Sequence, residues 1–346
     1  MITLGAGTAL GAQRPPDREV DAAARTAVVE GIVGALRRYY VVPDVARRVG
    51  DVLRRNVAAG RYDRLVSAFT LVETITADMR AASRDAHLYL GYSYEPEVVS
   101  DPRPETAAER AIASQLARRE NFGFARAERL AGNVGYLKIA RFVRPEFAGE
   151  VAAATMTFLA SSDALIIDVR DARGGAPEMV SFLASYFLDG DPVRLATMYY
   201  RPEEQTTQYW TLPYVPGARY IGKDVFVLTS RSTFSAPEAL ARYLQDHGRA
   251  TVIGEATPGG TNPGKLVVVH PHFAVFVPMG RPVRPDGSPD RENTGIKPDV
   301  ETIAASALST AHLRALERLL EKTADEAERG RLRADIEVAR KAAGIH

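Results

Sequence analysis

The sequence predicts an α/β core with a helical bundle ahead of it and two more helices behind it. Three observations carry this expectation. Apolar residues recur at helical steps through the N-terminal part. From Asn133 onward, short apolar runs of strand length alternate with helical stretches. The C-terminal part is charged and amphipathic.

The bulk composition sets the frame. With 346 residues the chain has room for about two domains. Hydrophobic residues are 46% and charged residues 25%, ordinary for a globular chain with a full core. A formal charge of +1 with no basic stripe argues against a nucleic-acid partner. The absence of cysteine excludes disulfides, thiolate catalysis and cysteine-held metals. No apolar run approaches the ~18–20 residues that span a bilayer, so no membrane span is expected. Met1–Gln13 is small and apolar without a positive n-region. It reads either as the end of an export signal, closing near Ala12, or as a disordered stub, so the compartment stays unknown, with export (periplasmic or extracellular) following only from the first reading.

Element by element, residues 1–20 form the stub or signal remnant with a linker at Pro15-Pro16. Residues 21–95 form a helical domain. Its first helix places Val28, Ile32, Leu36 and Tyr40 on one face and breaks at Val42-Pro43. A second helix carries Val45, Val49 and Leu53, and a third runs from Val66 to Met79. Residues 84–94 alternate like a strand, and 100–120 read as a linker with a short helix. The α/β domain spans 120–310. It has strands over 134–139, 164–169, 224–230 and 250–254, helices over 146–160, 178–188 and 236–246, and a hairpin over 265–278. Residues 311–346 form a helical extension that caps the core or mediates oligomerisation.

Chemistry concentrates at four places. Ser235 follows a strand and a polar turn and opens a helix. Ser235-Ala-Pro-Glu238 is a capping box on the bland reading. On the sharper one it is a nucleophile at a helix N-terminus, where Ala236 still has an N–H to donate and Pro237 has none. The strand ending at Asp168 runs into Gly174-Gly175, a simple strand-to-helix turn or one whose N–H groups form an oxyanion hole. The Gly-x-Gly-x-x-Gly spacing is absent, so no dinucleotide is expected. Among the histidines, His247 belongs to a helix end and His270 and His272 share a strand face without a carboxylate cluster. His312 lies in the C-terminal helix, His346 is the last residue, and no His-Glu-x-x-His occurs. His87 stands at a domain junction, structural or catalytic. Glu292 lies in a Gly/Pro loop with Asp290, either solvated or orienting a base. No metal and no cofactor are expected.

Taken in order, several segments resemble the tail-specific protease family (C-terminal processing peptidases), in its branch of tricorn core proteases and interphotoreceptor retinoid-binding-protein modules. They are Tyr39-Tyr-Val-Val-Pro-Asp44, Asp85-Ala-His-Leu88, Gly132-Asn-Val-Gly-Tyr-Leu137, Ala164–Arg170 with Gly174-Gly175, Leu228–Glu238, Ile253–Gly260 and Glu292–Asp299. The resemblance covers about residues 25–310 and implies a ClpP/crotonase-like core. It also implies Ser235 as nucleophile, His87 as general base and Glu292 as supporting carboxylate. Gly174, Gly175 and Ala236 would supply the oxyanion hole, and the substrate would be a peptide or unfolded protein. Three departures qualify it. Gly254–Gly260 has no lysine where the family's Ser–Lys branch carries one, so the histidine version is preferred. Ala86 stands where tricorn-type sites have a serine linking the histidine to the glutamate. The stretch between His87 and Val134 is too short for a PDZ domain. A non-catalytic module for retinoid- or lipid-like ligands on the same scaffold, and an assembly protein using the C-terminal helices, remain the alternatives.

Overall fold

The computed structural model describes residues 15–99, 102–283 and 294–342. The N-terminal stub or signal remnant up to Gln13, the loop carboxylates Asp290 and Glu292, and His346 lie outside the described residues. The chain divides into two compact units, each discontinuous in sequence. One takes residues up to 104 with 197–207 and 260–293; the other takes 105–196, 208–259 and the remainder from 294.

The first unit is built from helices Ala22–Tyr39, Pro43–Ala58 and Ala68–Ser83. Asp21 caps the first by accepting the Ala24 N–H at 2.7 Å, and Ser67 caps the third by accepting the Thr70 N–H at 3.3 Å. Pro43 opens the second, where its missing N–H is no loss. Ile32, Leu36, Leu53, Leu71 and Ile75 form one core with Val275 and Val277. The latter belong to an antiparallel sheet ordered Tyr89–Tyr92, Phe273–Pro278, Gly264–His270. The hairpin expected over 265–278 is therefore present, and Leu90 lies opposite Val275. Gly31 permits the close approach of helix to sheet, since a Cβ there would lie 2.6 Å from the Val269 carbonyl oxygen.

The strand expected from Arg84 is confined to Tyr89–Tyr92. Arg84 ends the third helix at φ 60°. The Asp85 carboxylate then accepts the His87 N–H at 2.9 Å, and Leu88 N–H reaches the Asp85 carbonyl at 3.3 Å. This Asx turn overrides the alternating pattern. Strands Arg194–Tyr200 and Gln205–Trp210 were not anticipated either. The second is almost wholly exposed, so it lacks the apolar alternation that marks a half-buried strand. Thr197–Tyr200 pair antiparallel with Gly280–Val283.

The second unit holds a six-stranded sheet ordered Val300–Glu301, Thr251–Gly254, Asp224–Thr229, Ala164–Asp168, Val134–Ile139, Phe124–Leu130. Neighbours are parallel except the last pair. Leu165, Ile167, Val225 and Val227 pack into a layer with helices Pro145–Leu159, Pro177–Ala184 and Ala236–Asp246. Ala164, Ile166, Phe226 and Leu228 pack on the other face, against Ala307–Lys322 and Glu326–Ala342. Coverage on both faces is why these strands read as unbroken apolar runs. The expected linker at 100–120 carries a full helix, Ala107–Arg119, with the Thr106–Glu109 capping box formed at 2.7 and 3.2 Å. Asp168 and Leu228 are register partners on adjacent parallel strands. The turns after them therefore emerge side by side at the carboxyl edge of the sheet, where α/β sheets carry their sites.

Candidate active site

Ser235 is the N-cap of Ala236–Asp246, but its backbone is unlike the other caps. Asp21, Ser67 and Thr106 have φ of −76°, −91° and −74° with ψ of 174°, 133° and 162°, the extended geometry of an ordinary cap. Ser235 has φ 67° and ψ −122°. A non-glycine residue there carries strain of roughly 1–3 kcal/mol and persists only when its surroundings impose it. A strained serine on a strand–turn–helix is how α/β hydrolases expose a nucleophilic hydroxyl. Glu238, 5% exposed, supplies part of the restraint. Its carboxylate accepts the Ser235 N–H and the Gly259 N–H, each at 2.7 Å.

The glycine turn passes directly beside this serine. A Cβ placed on Gly174 would lie 3.6 Å from Ser235 Cβ and 3.9 Å from its Oγ. Gly174 and Gly175 have φ of 132° and 141°, values that glycine alone adopts easily. Phe142 pins the turn: its N–H donates to the Gly174 carbonyl at 3.1 Å, and its carbonyl accepts the Ala176 N–H at 2.7 Å. A Cβ on Gly175 would fall 2.0 Å from the Phe142 oxygen.

Side-chain hydroxyls tie the two turns together. Thr233 Oγ1 accepts the Ser230 N–H at 2.9 Å and donates to the Val169 carbonyl at 3.0 Å. Ser230 Oγ accepts the Ser232 N–H at 2.9 Å and donates to the Arg170 carbonyl at 2.5 Å. Below them Asp168, with no exposed surface, accepts two bonds from the Arg170 guanidinium and one from the Tyr136 hydroxyl, at 2.7–2.9 Å. Burial alone would raise the Asp168 pKa. The Arg170 and Tyr136 hydrogen bonds outweigh it and hold the carboxyl below its ordinary 3.8. Burial, reinforced by that carboxylate, pushes Tyr136 up.

Ser235, Ala236, Gly174 and Gly175 thus lie in one unit, while His87 lies in the other. His87 is 7% exposed. Its ring lies nearly parallel to Phe276 with centroids 6.1 Å apart, and Nδ1 is 3.8 Å from Asp85 Oδ1. Asp85 in turn accepts from Tyr40 Oη at 2.8 Å and Asn262 Nδ2 at 3.3 Å. Glu292 falls outside the described residues. His247 caps its helix as expected, ahead of Gly248 at φ 63°. His272 Nδ1 lies 3.1 Å from the Ser93 carbonyl, and among the described residues no third metal-ligating side chain joins it and His270. Sequence reasoning missed Thr233 and Phe142. The signal for Thr233 was its place in Ser230-x-x-Thr233, where a hydroxyl can close a turn on a backbone N–H.

Residues 133–302 match the family model described as peptidase family S41. Residues 22–123 match the one described as the N-terminal domain of Peptidase_S41 in eukaryotic IRBP. The chain belongs to peptidase family S41. It is a serine-type peptidase of the family that its motifs resemble, with the family's helical N-terminal region and mixed α/β core. Two solved structures are similar in fold. A lipoprotein from Streptococcus agalactiae is 14% identical, over 89% of this chain and 99% of that one, at a TM-score of 0.52. Mature CPAF is 12% identical, over 81% of this chain and 94% of that one, also at 0.52. No described helix of this S41 chain is long and apolar enough to cross a membrane.

Proposed function

We propose that this S41 peptidase hydrolyses peptide bonds with Ser235 as nucleophile, His87 as general base and Glu292 as supporting carboxylate. The substrate is a peptide or an unfolded protein segment. Ser235 Oγ attacks the scissile carbonyl carbon while the imidazole takes its proton. The N–H groups of Gly174, Gly175 and Ala236 receive the oxyanion of the tetrahedral intermediate. Collapse breaks the C–N bond, and the imidazolium returns its proton to the leaving amine. Water, activated by the same base, then releases the acyl group from the serine.

The observation that supports this reading is the backbone of Ser235, held at φ 67° beside Gly174. An ordinary cap has no use for that strain. The role of Glu292 follows from the Glu292–Asp299 motif. A fluorophosphonate probe tests the assignment by forming an Oγ–P bond with loss of fluoride. Wild-type protein should label at one site, Ser235→Ala should not label, and His87→Ala should label far more slowly. Labelling unchanged in both variants would remove the assignment. Tight binding of an apolar lipid by a protein inert to the probe would favour a binding module instead.

A further inference from the structure

Thr233 is fully buried and sits two residues before Ser235, outside the helix that follows. Its hydroxyl makes two bonds with different purposes. Accepting the Ser230 N–H closes the turn that carries the serine; donating to the Val169 carbonyl fastens that turn to the neighbouring glycine turn. The Ser230 hydroxyl repeats the pattern one residue further along, onto the Arg170 carbonyl. The Phe234 N–H continues it onto the Ala172 carbonyl at 3.1 Å. These links fall on Val169, Arg170 and Ala172, ahead of Gly174, where an added Cβ would lie 3.6 Å from Ser235 Cβ. They begin just past the register pair Asp168–Leu228, where the strand ladder ends and Val169 N–H makes its bond to the Leu228 carbonyl at 3.2 Å. Beyond that point the Thr233 and Ser230 hydroxyls and the Phe234 amide link the two turns.

We infer that Thr233 is a positioning residue: it fixes the distance between the Ser235 hydroxyl and the N–H groups of the Gly174–Gly175 turn. The inference rests on the peptidase reading above. It places the effect of Thr233 on the tetrahedral intermediate, through the register of nucleophile and oxyanion donors. Thr233 itself is assigned no step of the reaction. Catalysis is steep in that register, since a misplacement of about 1 Å can cost on the order of 10²-fold in rate.

The test is the rate constant and the stoichiometry of fluorophosphonate labelling across pH, in wild type, Thr233→Val, Thr233→Ser and Ser230→Ala. Thr233→Val keeps the volume and removes both bonds. It should label to full stoichiometry with a rate constant lower by about 10- to 100-fold, and with the pH profile unmoved. Thr233→Ser, which keeps the hydroxyl, should come within about 3-fold of wild type. If Thr233→Val does not fold, Ser230→Ala, which cuts the adjacent link, should show the same slowing at full stoichiometry to a lesser degree. A reduced labelled fraction at the wild-type rate constant would mean that the residue only stabilises the fold, and would overturn the inference. So would a Thr233→Ser variant as slow as Thr233→Val. A wild-type protein inert to the probe would bring down the peptidase reading and this inference together. A reactive wild type matched by Thr233→Val would bring down this inference alone.

Discussion

Ser67 and Ser235 hold the same position, each the last residue before a helix, in opposite backbone conformations. Ser67 is extended, and its hydroxyl accepts the Thr70 N–H. Ser235 is in the positive-φ region; Glu238 takes over its backbone N–H, and the turn before it is fastened by buried hydroxyls. Residue type and helix position are therefore uninformative by themselves. What separates a cap from a candidate nucleophile is whether the surroundings impose a conformation that the residue would otherwise leave.

The largest expected effect tests that separation directly. Ser235→Ala should lower peptidase turnover by at least about 10³-fold, whereas Ser67→Ala should leave turnover unchanged; steady-state kinetics on an unfolded protein substrate measures both. Next in size is Gly175→Ala. Its Cβ would overlap the Phe142 carbonyl oxygen, so the turn must shift at a cost of roughly 2 kcal/mol or more. Urea unfolding should register that loss, together with a loss of probe labelling.

Smaller and opposite in sign is the pair Ser235→Gly and Ser67→Gly. Glycine at 235 relieves the strain and should stabilise the fold by about 1 kcal/mol. At 67 it should destabilise by a few tenths. Equal signs would show that Ser235 is an ordinary cap. The smallest signal is in pH. The Asp168 carboxyl titrates below its ordinary 3.8 in the folded state. The stability it adds is therefore present at neutral pH and is lost as pH falls below that value through the lowered one. Urea midpoints measured across the acid range should fall less steeply in Asp168→Asn than in wild type.

Much of this was legible in the sequence. The unbroken apolar run at 164–169 gave away a strand buried on both faces, and the run at 224–230 a neighbouring strand; the turns after them were the places singled out for chemistry. What escaped had physical reasons. Gln205–Trp210 exposes nearly every side chain, so no period of two could be seen. Phe124–Leu130 buries little beyond its first residue. The Asp85 side chain turned a strand-like alternation into a bend at His87. Thr233 was invisible because its second partner, Val169, is remote in sequence, and a hydroxyl that bridges two turns looks like any buried threonine. The strain at Ser235 could not be read at all, since the capping-box pattern is the same at either backbone conformation.

The pairing of Tyr89–Tyr92 with Phe273–Pro278 has a consequence for biosynthesis. A ribosome adding about 5–20 residues per second needs on the order of 10–40 s to travel from one strand to the other. Through that interval Leu90 and Tyr92, buried in the finished molecule, have no sheet to join. The nascent N-terminal helices must wait with an open β-edge, the kind of surface that invites intermolecular pairing. Slowed translation or early termination before Phe273 should therefore yield insoluble product, even though every helix of the bundle has already been made.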